Sequence, residues 1–386
     1  MDVKRVAKKI MFTGGGTGGS VTPLLAIAEE LLKGPDHGSQ ASSFKPDAKT
    51  VSGMIDWEFI FVGTYRGPER ELVIDYNGAV GPMRFVPLVG GKFRRYFSLA
   101  NFFDVFKVFG SWFISLRLLT IERPDIIVSA GSFVSVPLVW AAALKRIPIL
   151  VHQQDARPGL ANRLMAPFAR VITVTFEKSL SDFGKPAVFT GNPFRSLAMD
   201  AEELDKIKKK YNVTAGLPLV LVTGGGSGAA SVNQLVFKAA PELTEFCQVI
   251  HITGKGKLPG KIDKHEHYQV FEFLPNREVL GLMIASQLVI SRCGLAFLTE
   301  LSALNKAALL IPMPHSHQED NAAIFARSEA AIVIFQHLLG SKRLVSEVRK
   351  ILDDKELRAA LESKIGGVIK RGAAEKIAAI IREIVN

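Results

Sequence analysis

The sequence predicts an α/β protein made of two doubly wound domains, each a parallel sheet covered by helices on both faces, and three observations carry that expectation. Val/Ile-rich apolar runs alternate with helical patterns along most of the chain. The same glycine-rich turn follows the first apolar run of each half, as "GGGTGGS" at 14–20 and "GGGSGAA" at 224–230. The length of 386 residues also exceeds what one core usually holds, at ~150 residues per domain.

The elements follow in order. A short strand from Val6 to Phe12 runs into the first glycine loop, and "VTPLLAIAEELLKG" reads as a helix stopped at Gly34. Residues 35–56 are polar and rich in Gly, Ser and Pro, as expected for a surface insertion. "WEFIFVG", "MRFVPLV", "DIIVSAG", "IPILVHQ" and "RVITVTF" are the later strands, separated by helical stretches such as "VPLVWAAALKR" and "LANRLMAPFA". After "GNPFR" (191–195) the charged run "DAEELDKIKKKYN" reads as a linker. "GLPLVLVTGGGSG" then opens a second series, continued by "QVIHITG", "YQVFEFL", "LVISRCG", "AALLIPM" and "AIVIF", and from Ser341 only helical patterns remain. The expected domains are 1–196 and 197–386, with the terminal helices able to return to the first.

Composition narrows the classes. Hydrophobic residues at 48% against 22% charged fill two cores and argue against disorder. A net charge of +11 suits an anionic partner, which nucleic acid, acidic lipid or a phosphorylated substrate would each satisfy. No nucleic-acid-binding module is recognisable. Cys247 and Cys293 lack disulfide-framework or metal-ligand spacing and read as buried thiols in a reducing compartment. The N-terminus has no long apolar run before the glycines, so no signal peptide is expected.

Gly14, Gly16 and Gly19 satisfy GxGxxG, and Gly224, Gly226 and Ala229 satisfy GxGxxA, both at strand-to-helix turns suited to phosphate. A dinucleotide site would also place an acidic residue near the end of the second strand. Here "FVGTYRGPER" has Gly63, Thr64 and Tyr65 there and "QVIHITGKG" is equally acid-free, which disfavours an NAD(P) oxidoreductase. No GxxxxGK[ST] run exists, against a P-loop NTPase, and no DxD, against metal-clamped sugar transfer. Phosphate charge would then be met by backbone N–H groups, helix N-termini and basic side chains.

The ordered series "GGGTGGSVTPLLAIAEEL", "GTYRGPERELV", "PDIIVSAGSFVSVPLVWAA", "IPILVHQQDARPGLANRLMA", "GNPFR", "LVTGGGSGAASVN", "FEFL", "SRCGLAFLTELSAL" and "HQEDNAA" resembles the MurG family over nearly the whole chain. These are UDP-N-acetylglucosamine transferases that complete the lipid-linked peptidoglycan precursor, converting lipid I to lipid II. The resemblance implies a glycosyltransferase B fold, two Rossmann-like doubly wound domains facing a cleft. It implies UDP-N-acetylglucosamine as donor and a polyprenyl-pyrophosphate-linked muramyl peptide as acceptor. No cofactor is implied, a divalent cation being at most stimulatory.

Carried over residue by residue, the donor side comprises Thr17, Gly18, Gly19, Gly225, Gly226, Ser227 and Gly228. To these the resemblance adds Phe273 and Leu274 against uracil, Gly294 and Leu295 at a helix start, and Glu300 for the ribose hydroxyls. His317 and Gln318 read the sugar, Gln318 with an amide that offers both donor and acceptor. Arg195 approaches the diphosphate, unless it is an ordinary surface charge. The acceptor side comprises Gly16, Thr17, Gly131, Ser132, Phe133, His152 and Gln154.

Three departures bear on chemistry. Ser20 stands where the family loop has a histidine, and a serine is no base at neutral pH without help. Asp155 of "HQQDARPG" stands where asparagine is common, and unlike asparagine it can take a proton. Gly226 replaces a phosphate-binding serine, with Ser227 beside it. The expected catalytic set is therefore Asp155, Ser20 and Glu69, with Asp155 the favoured base of an inverting displacement and Glu69 and His152 in reserve. The competing role for Asp155 is to cap the helix near Leu160 or to hydrogen-bond sugar.

The segment 92–119 packs Phe93, Phe97, Phe102, Phe103, Phe106, Phe109, Trp112 and Phe113 among Lys92, Arg94, Arg95, Lys107 and Arg117. Its apolar run is shorter than the roughly 20 residues a membrane span needs. It suits an interfacial anchor on anionic lipid at the cytoplasmic face of the plasma membrane, or else a core helix of the first domain. Two other functions fit the same fold: another UDP-sugar transferase acting on a glycolipid, or a nucleotide-sugar epimerase. A nucleotide-sugar-binding protein that has lost catalysis fits as well, because Ser20 removes the family histidine.

Overall fold

The computed structural model describes residues 7–33, 56–79, 81–89, 99–195, 198–225, 228–258 and 266–386. The chain divides into two compact units, residues 1–196 with 370–386, and residues 197–369.

Unit 1 opens with β1 (Lys8–Thr13), α1 (Thr22–Lys33), β2 (Trp57–Thr64), α2 (Glu69–Ala79) and β3 (Met83–Leu88). It continues with α3 (Leu99–Glu122), β4 (Ile126–Ser129), α4 (Ser135–Leu144), β5 (Ile149–Gln153), α5 (Leu160–Met165), β6 (Val171–Val174) and β7 (Ala187–Phe189). The strands form one sheet in the order β3-β2-β1-β4-β5-β6-β7, parallel throughout. Successive strand residues face opposite sides, so Ile10 and Phe12 of β1 pack with α1 while Met11 packs with α4 and α5. Both faces are buried, which is why these strands read as continuous apolar runs. The edge strand β7 is only three half-buried residues long, and sequence reasoning passed it over.

Unit 2 comprises α6 (Ala201–Lys210), β8 (Leu219–Thr223), α7 (Ala230–Leu243), β9 (Gln248–Ile252), β10 (Tyr268–Phe271), α8 (Asn276–Ala285) and β11 (Leu288–Ser291). Then come α9 (Leu295–Ala303), β12 (Ala308–Leu310), α10 (His317–Arg327), β13 (Ile332–Val333), α11 (Ser341–Asp353) and α12 (Lys355–Ile365). Its parallel sheet runs β10-β9-β8-β11-β12-β13. The run read as a linker is helix α6. Asp200 caps it by accepting from Glu203 N, Glu202 and Glu203 lie in its first turn, and Lys208, Lys209 and Lys210 lie in its last, so its charges oppose the helix dipole at both ends. Ile207 is its buried contact, and Gly281 of α8 is where that side chain lands.

The last helix, α13 (Ala373–Val385), belongs to unit 1. Its Ile377, Ala378, Ile381 and Val385 complete the core under α1 and β1. Arg382 Nη2 donates to the carbonyls of Glu30 (3.0 Å) and Leu31 (3.3 Å), which are unsatisfied at the end of α1. Ile381→Ala should therefore destabilise unit 1 by about 2–5 kcal/mol, a loss read directly from the denaturation midpoint of the intact chain.

Candidate functional site

Parallel sheets receive ligands beyond the carboxyl ends of their strands, where the strand order reverses. In unit 2 that point lies between β8 and β11. Gly225 and Gly228 of the loop after β8 have φ of +78° and +67°, and a Cβ on Gly228 would strike the Thr253 carbonyl. Gly228 N donates to Gly225 O (2.8 Å) and Gly225 N to Thr223 Oγ1 (3.2 Å), so the loop is folded on itself. Gly226 and Ser227 lie outside the described residues. Helix α7 then opens with no side-chain cap, leaving its first N–H groups directed at the loop. Lys257 Nζ reaches Gly228 O at 3.0 Å and adds positive charge.

Helix α9 starts after Gly294, also without a side-chain cap, and Leu295 is buried. Glu300 lies two turns in. Its carboxylate has no hydrogen-bond or ion-pair partner among the described residues. Its surface is only partly covered, yet the surroundings are dense enough that burial raises its carboxyl to about 7. Phe273, after β10, is 56% exposed with the Lys255 ammonium 4.6 Å from its ring centroid, whereas the Leu274 side chain is buried. His317 opens α10, which Ser316 caps by accepting from Gln318 N.

Gln318 departs from expectation in one respect. Its Oε1 already accepts from Cys293 N (3.2 Å) and Met313 N (3.1 Å), so the side chain offers a ligand only its NH2 group. Sequence reasoning also missed Arg292, which is buried and has no carboxylate partner among the described residues. Its guanidinium donates to Ile311 O (3.1 Å), Pro312 O (2.8 Å), Ser231 Oγ (2.8 Å) and Gln336 Oε1 (2.6 Å), tying the first turn of α7 to the segments that follow β12 and β13. An arginine between a strand end and the Gly294 helix start was the available signal.

In unit 1 the order reverses between β1 and β4. Gly16 and Thr17 are exposed on the loop after β1, Gly18 and Gly19 half-buried, and Gly16 has φ +81°. Ser20 is buried, and its hydroxyl donates back to Gly15 O (3.1 Å) or Thr17 O (3.2 Å), closing the loop. Glu69 is fully buried and its carboxylate accepts from Thr64 Oγ1 (3.0 Å) and Gly16 N, so the structure shows it bonded to the glycine loop.

Beyond β4, Gly131 and Ser132 both have positive φ, +99° and +78°, a conformation uncommon for a non-glycine residue such as Ser132. Phe133 follows, half-buried, before α4. Gln154 donates to Ala130 O (2.9 Å) and is itself buried, so it braces this turn. His152 is fully buried with both ring nitrogens engaged: Nε2 donates to Asn192 Oδ1 (3.0 Å), and Nδ1 accepts from Thr173 Oγ1 (2.9 Å). Its work is to hold Asn192 of the GNPFR segment. Asp155 is half-buried just past β5. The N-cap position of α5 is taken by Gly159 and not by Asp155. Arg195 pairs with Glu29 of α1 and lies 5.9 Å from the Tyr76 ring.

Burial pushes His152 down to about 4, partly opposed by its Asn192 bond, and pushes His251 of unit 2 down to about 3. Each is neutral in the fold but titrates near 6.5 once unfolded, so below that pH the unfolded chain binds protons the folded one refuses. Stability should be full above about pH 6.5 and fall by on the order of 3 kcal/mol per histidine by pH 4. Urea denaturation from pH 4 to 8 measures this, and His152→Asn and His251→Asn each flatten the slope.

Residues 56–174 match the description "Glycosyltransferase family 28 N-terminal domain" and residues 219–378 the "Glycosyltransferase family 28 C-terminal domain". The chain is 35% identical over 355 residues to the UDP-N-acetylglucosamine–N-acetylmuramyl-(pentapeptide) pyrophosphoryl-undecaprenol N-acetylglucosamine transferase of Clostridium botulinum, covering 91% of this chain and 92% of that one. The chain belongs to the MurG family. A MurG-family relative of the same description in Lachnoclostridium phytofermentans is 33% identical across 98% of this chain and 99% of its own. Among solved structures, Acinetobacter baumannii MurG aligns with TM-score 0.68 at 21% identity, over 97% of this chain and 99% of that one. The UDP-GlcNAc 2-epimerase of Neisseria meningitidis bound to UDP-GlcNAc aligns with TM-score 0.68 at 12% identity, over 98% and 100%. These structural likenesses speak to the fold, which is glycosyltransferase B.

Proposed function

We propose that this chain transfers N-acetylglucosamine from UDP-N-acetylglucosamine to a polyprenyl-pyrophosphate-linked muramyl peptide, the lipid I to lipid II step of peptidoglycan synthesis. The observation that carries this reading is MurG-family membership across 91% of the chain. In this reading unit 2 binds the donor. The N-termini of α7 and α9 and Lys257 meet the diphosphate, Phe273 lies against uracil, Glu300 accepts from the ribose hydroxyls, and Gln318 donates to the sugar. The acceptor hydroxyl attacks the anomeric carbon from the face opposite UDP. Asp155 takes its proton as the C–O bond to UDP breaks, and the helix N-termini stabilise the departing charge. No divalent ion is required, because backbone N–H groups and basic side chains meet the phosphates.

Unit 1 takes the acceptor and rests on the anionic cytoplasmic face of the plasma membrane. Among the described residues no helix is long and apolar enough to cross a membrane. Helix α3 instead exposes Phe109, Phe113, Ile114 and Ile121, each more than half accessible, while Trp112 and Leu119 pack inward. Phe109, Trp140, Leu144 and Phe168 line an apolar pocket of about 460 Å3 beside it. Residues 92–98 of the anchor segment lie outside the described residues. Co-sedimentation with phosphatidylglycerol vesicles should exceed that with phosphatidylcholine, weaken with salt, and drop on Phe113→Ser.

The deciding experiment measures UDP release from UDP-N-acetylglucosamine with and without a short-chain lipid-pyrophosphate muramyl acceptor. Acceptor-dependent release with a disaccharide-lipid product is the expected result. Donor binding without acceptor-dependent UDP release would transfer the reading to the epimerase, to a transferase with another acceptor, or to a protein that has lost catalysis.

A further inference from the structure

The two glycine loops are alike in sequence but not in what reaches into them. In each unit the strand paired with the first strand, β2 or β9, ends beside the glycine loop, and the chain that follows sends one charged side chain to it. In unit 2 that side chain is Lys257, donating to Gly228 O at 3.0 Å, a cation beside the loop. In unit 1 it is Glu69, whose carboxylate accepts the Gly16 N–H and lies 3.0 and 3.1 Å from Thr64 Oγ1. A Cβ at Gly15 or at Gly67 would collide with its oxygens, so the surrounding backbone is shaped to the carboxylate. Glu69 is fully buried at the first position of α2, where the helix dipole favours an anion, and no cation pairs with it among the described residues.

An N–H of a glycine loop, a hydroxyl and a helix N-terminus converging on one buried negative group is the arrangement that elsewhere receives phosphate. We propose that the Glu69 carboxylate is the resident anion of the first glycine loop: it fills the place of a phosphate, bars nucleotide from unit 1, and fixes Gly16 and Thr17 in the shape that meets the acceptor. Glu69 is thus a positioning and specificity-determining residue, acting through the loop and not on the reacting atoms. A phosphate group entering the same cradle would meet a like charge in a medium of low dielectric and an N–H already donated. The part concerning the acceptor rests on the function proposed above; the part concerning the anion does not.

The test uses the full chain. Glu69→Ala removes the carboxylate and leaves room for a small one. Formate should raise the melting temperature of Glu69→Ala in a concentration-dependent way, while formamide, its neutral counterpart, should not. In the transfer assay Glu69→Ala should show an acceptor KM raised roughly tenfold, restored by formate, with the donor KM unchanged. Calorimetric titration of the unaltered chain with UDP should give one site. Equal effects of formate and formamide, no effect of either, or two UDP sites in the unaltered chain would each overturn the proposal. Should Glu69→Ala fail to fold, Glu69→Gln keeps the volume without the charge: a raised acceptor KM with the donor KM intact supports the proposal, and a wild-type acceptor KM overturns it. If the unaltered chain shows no acceptor-dependent turnover, the transferase reading fails while the formate effect on melting still decides the anion.

Discussion

Asp155→Asn is expected to lower kcat by roughly 10²- to 10⁴-fold, the range that removal of a general base produces, with little change in either KM. The two side chains are nearly equal in size and share the carbonyl oxygen, so sugar contacts made by that oxygen survive while proton transfer does not. Ser20 and Glu69, the other sequence-level candidates, are both hydrogen-bonded to the glycine loop. Single-turnover measurement of disaccharide formation reads the chemical step directly. A variant that retains near-normal turnover eliminates Asp155 as the base and leaves it a substrate contact.

Glu300→Gln should lower kcat/KM for the donor by roughly 10- to 100-fold, because a carboxylate accepting from two hydroxyls contributes more than a neutral amide that can accept at one end only. Burial raises Glu300 to about 7 in the free protein, so near neutral pH a sizeable fraction is protonated and cannot accept at both oxygens. In the proposed donor site, hydrogen bonds from the ribose would favour the ionised form and draw the pKa down. UDP binding at pH 6.5 should therefore release protons, and donor KM should climb as pH falls below about 7. Calorimetry in buffers of differing ionisation enthalpy counts those protons, and Glu300→Gln should abolish their release. The sign for stability opposes that of the histidines. A carboxyl raised in the fold costs nothing below its ordinary value of 4.5 and becomes unfavourable as pH rises through 7, a cost that bound donor relieves.

Local sequence determined most of this protein's architecture. Both parallel sheets, both glycine turns and the helix that carries Glu300 were legible because each depends on a short run: apolar residues at strand length, glycines where φ turns positive, a glycine before a helical pattern. The motif order likewise carried the family, since spacing along the chain survives where individual residues vary. The direction of side chains and the pairing of distant segments were decided only by the tertiary structure. Ser20, Glu69 and His152 look catalytic by residue type, yet burial turns Ser20 and Glu69 into the first glycine loop and directs His152 to Asn192. Arg195 finds Glu29 far back in sequence, and α13 returns to cover the first sheet because an apolar face left by α1 and β1 needs a partner that the first half of the chain does not supply. The run 201–210 is dominated by charge, and its sparse apolar residues, Leu204 and Ile207 with Tyr211 after it, were too few to outweigh that composition, so α6 read as a linker; its cap and dipole-matched ends support it. Short-range preference sets which elements form, whereas long-range packing and hydrogen-bond satisfaction set which polar groups remain available for chemistry.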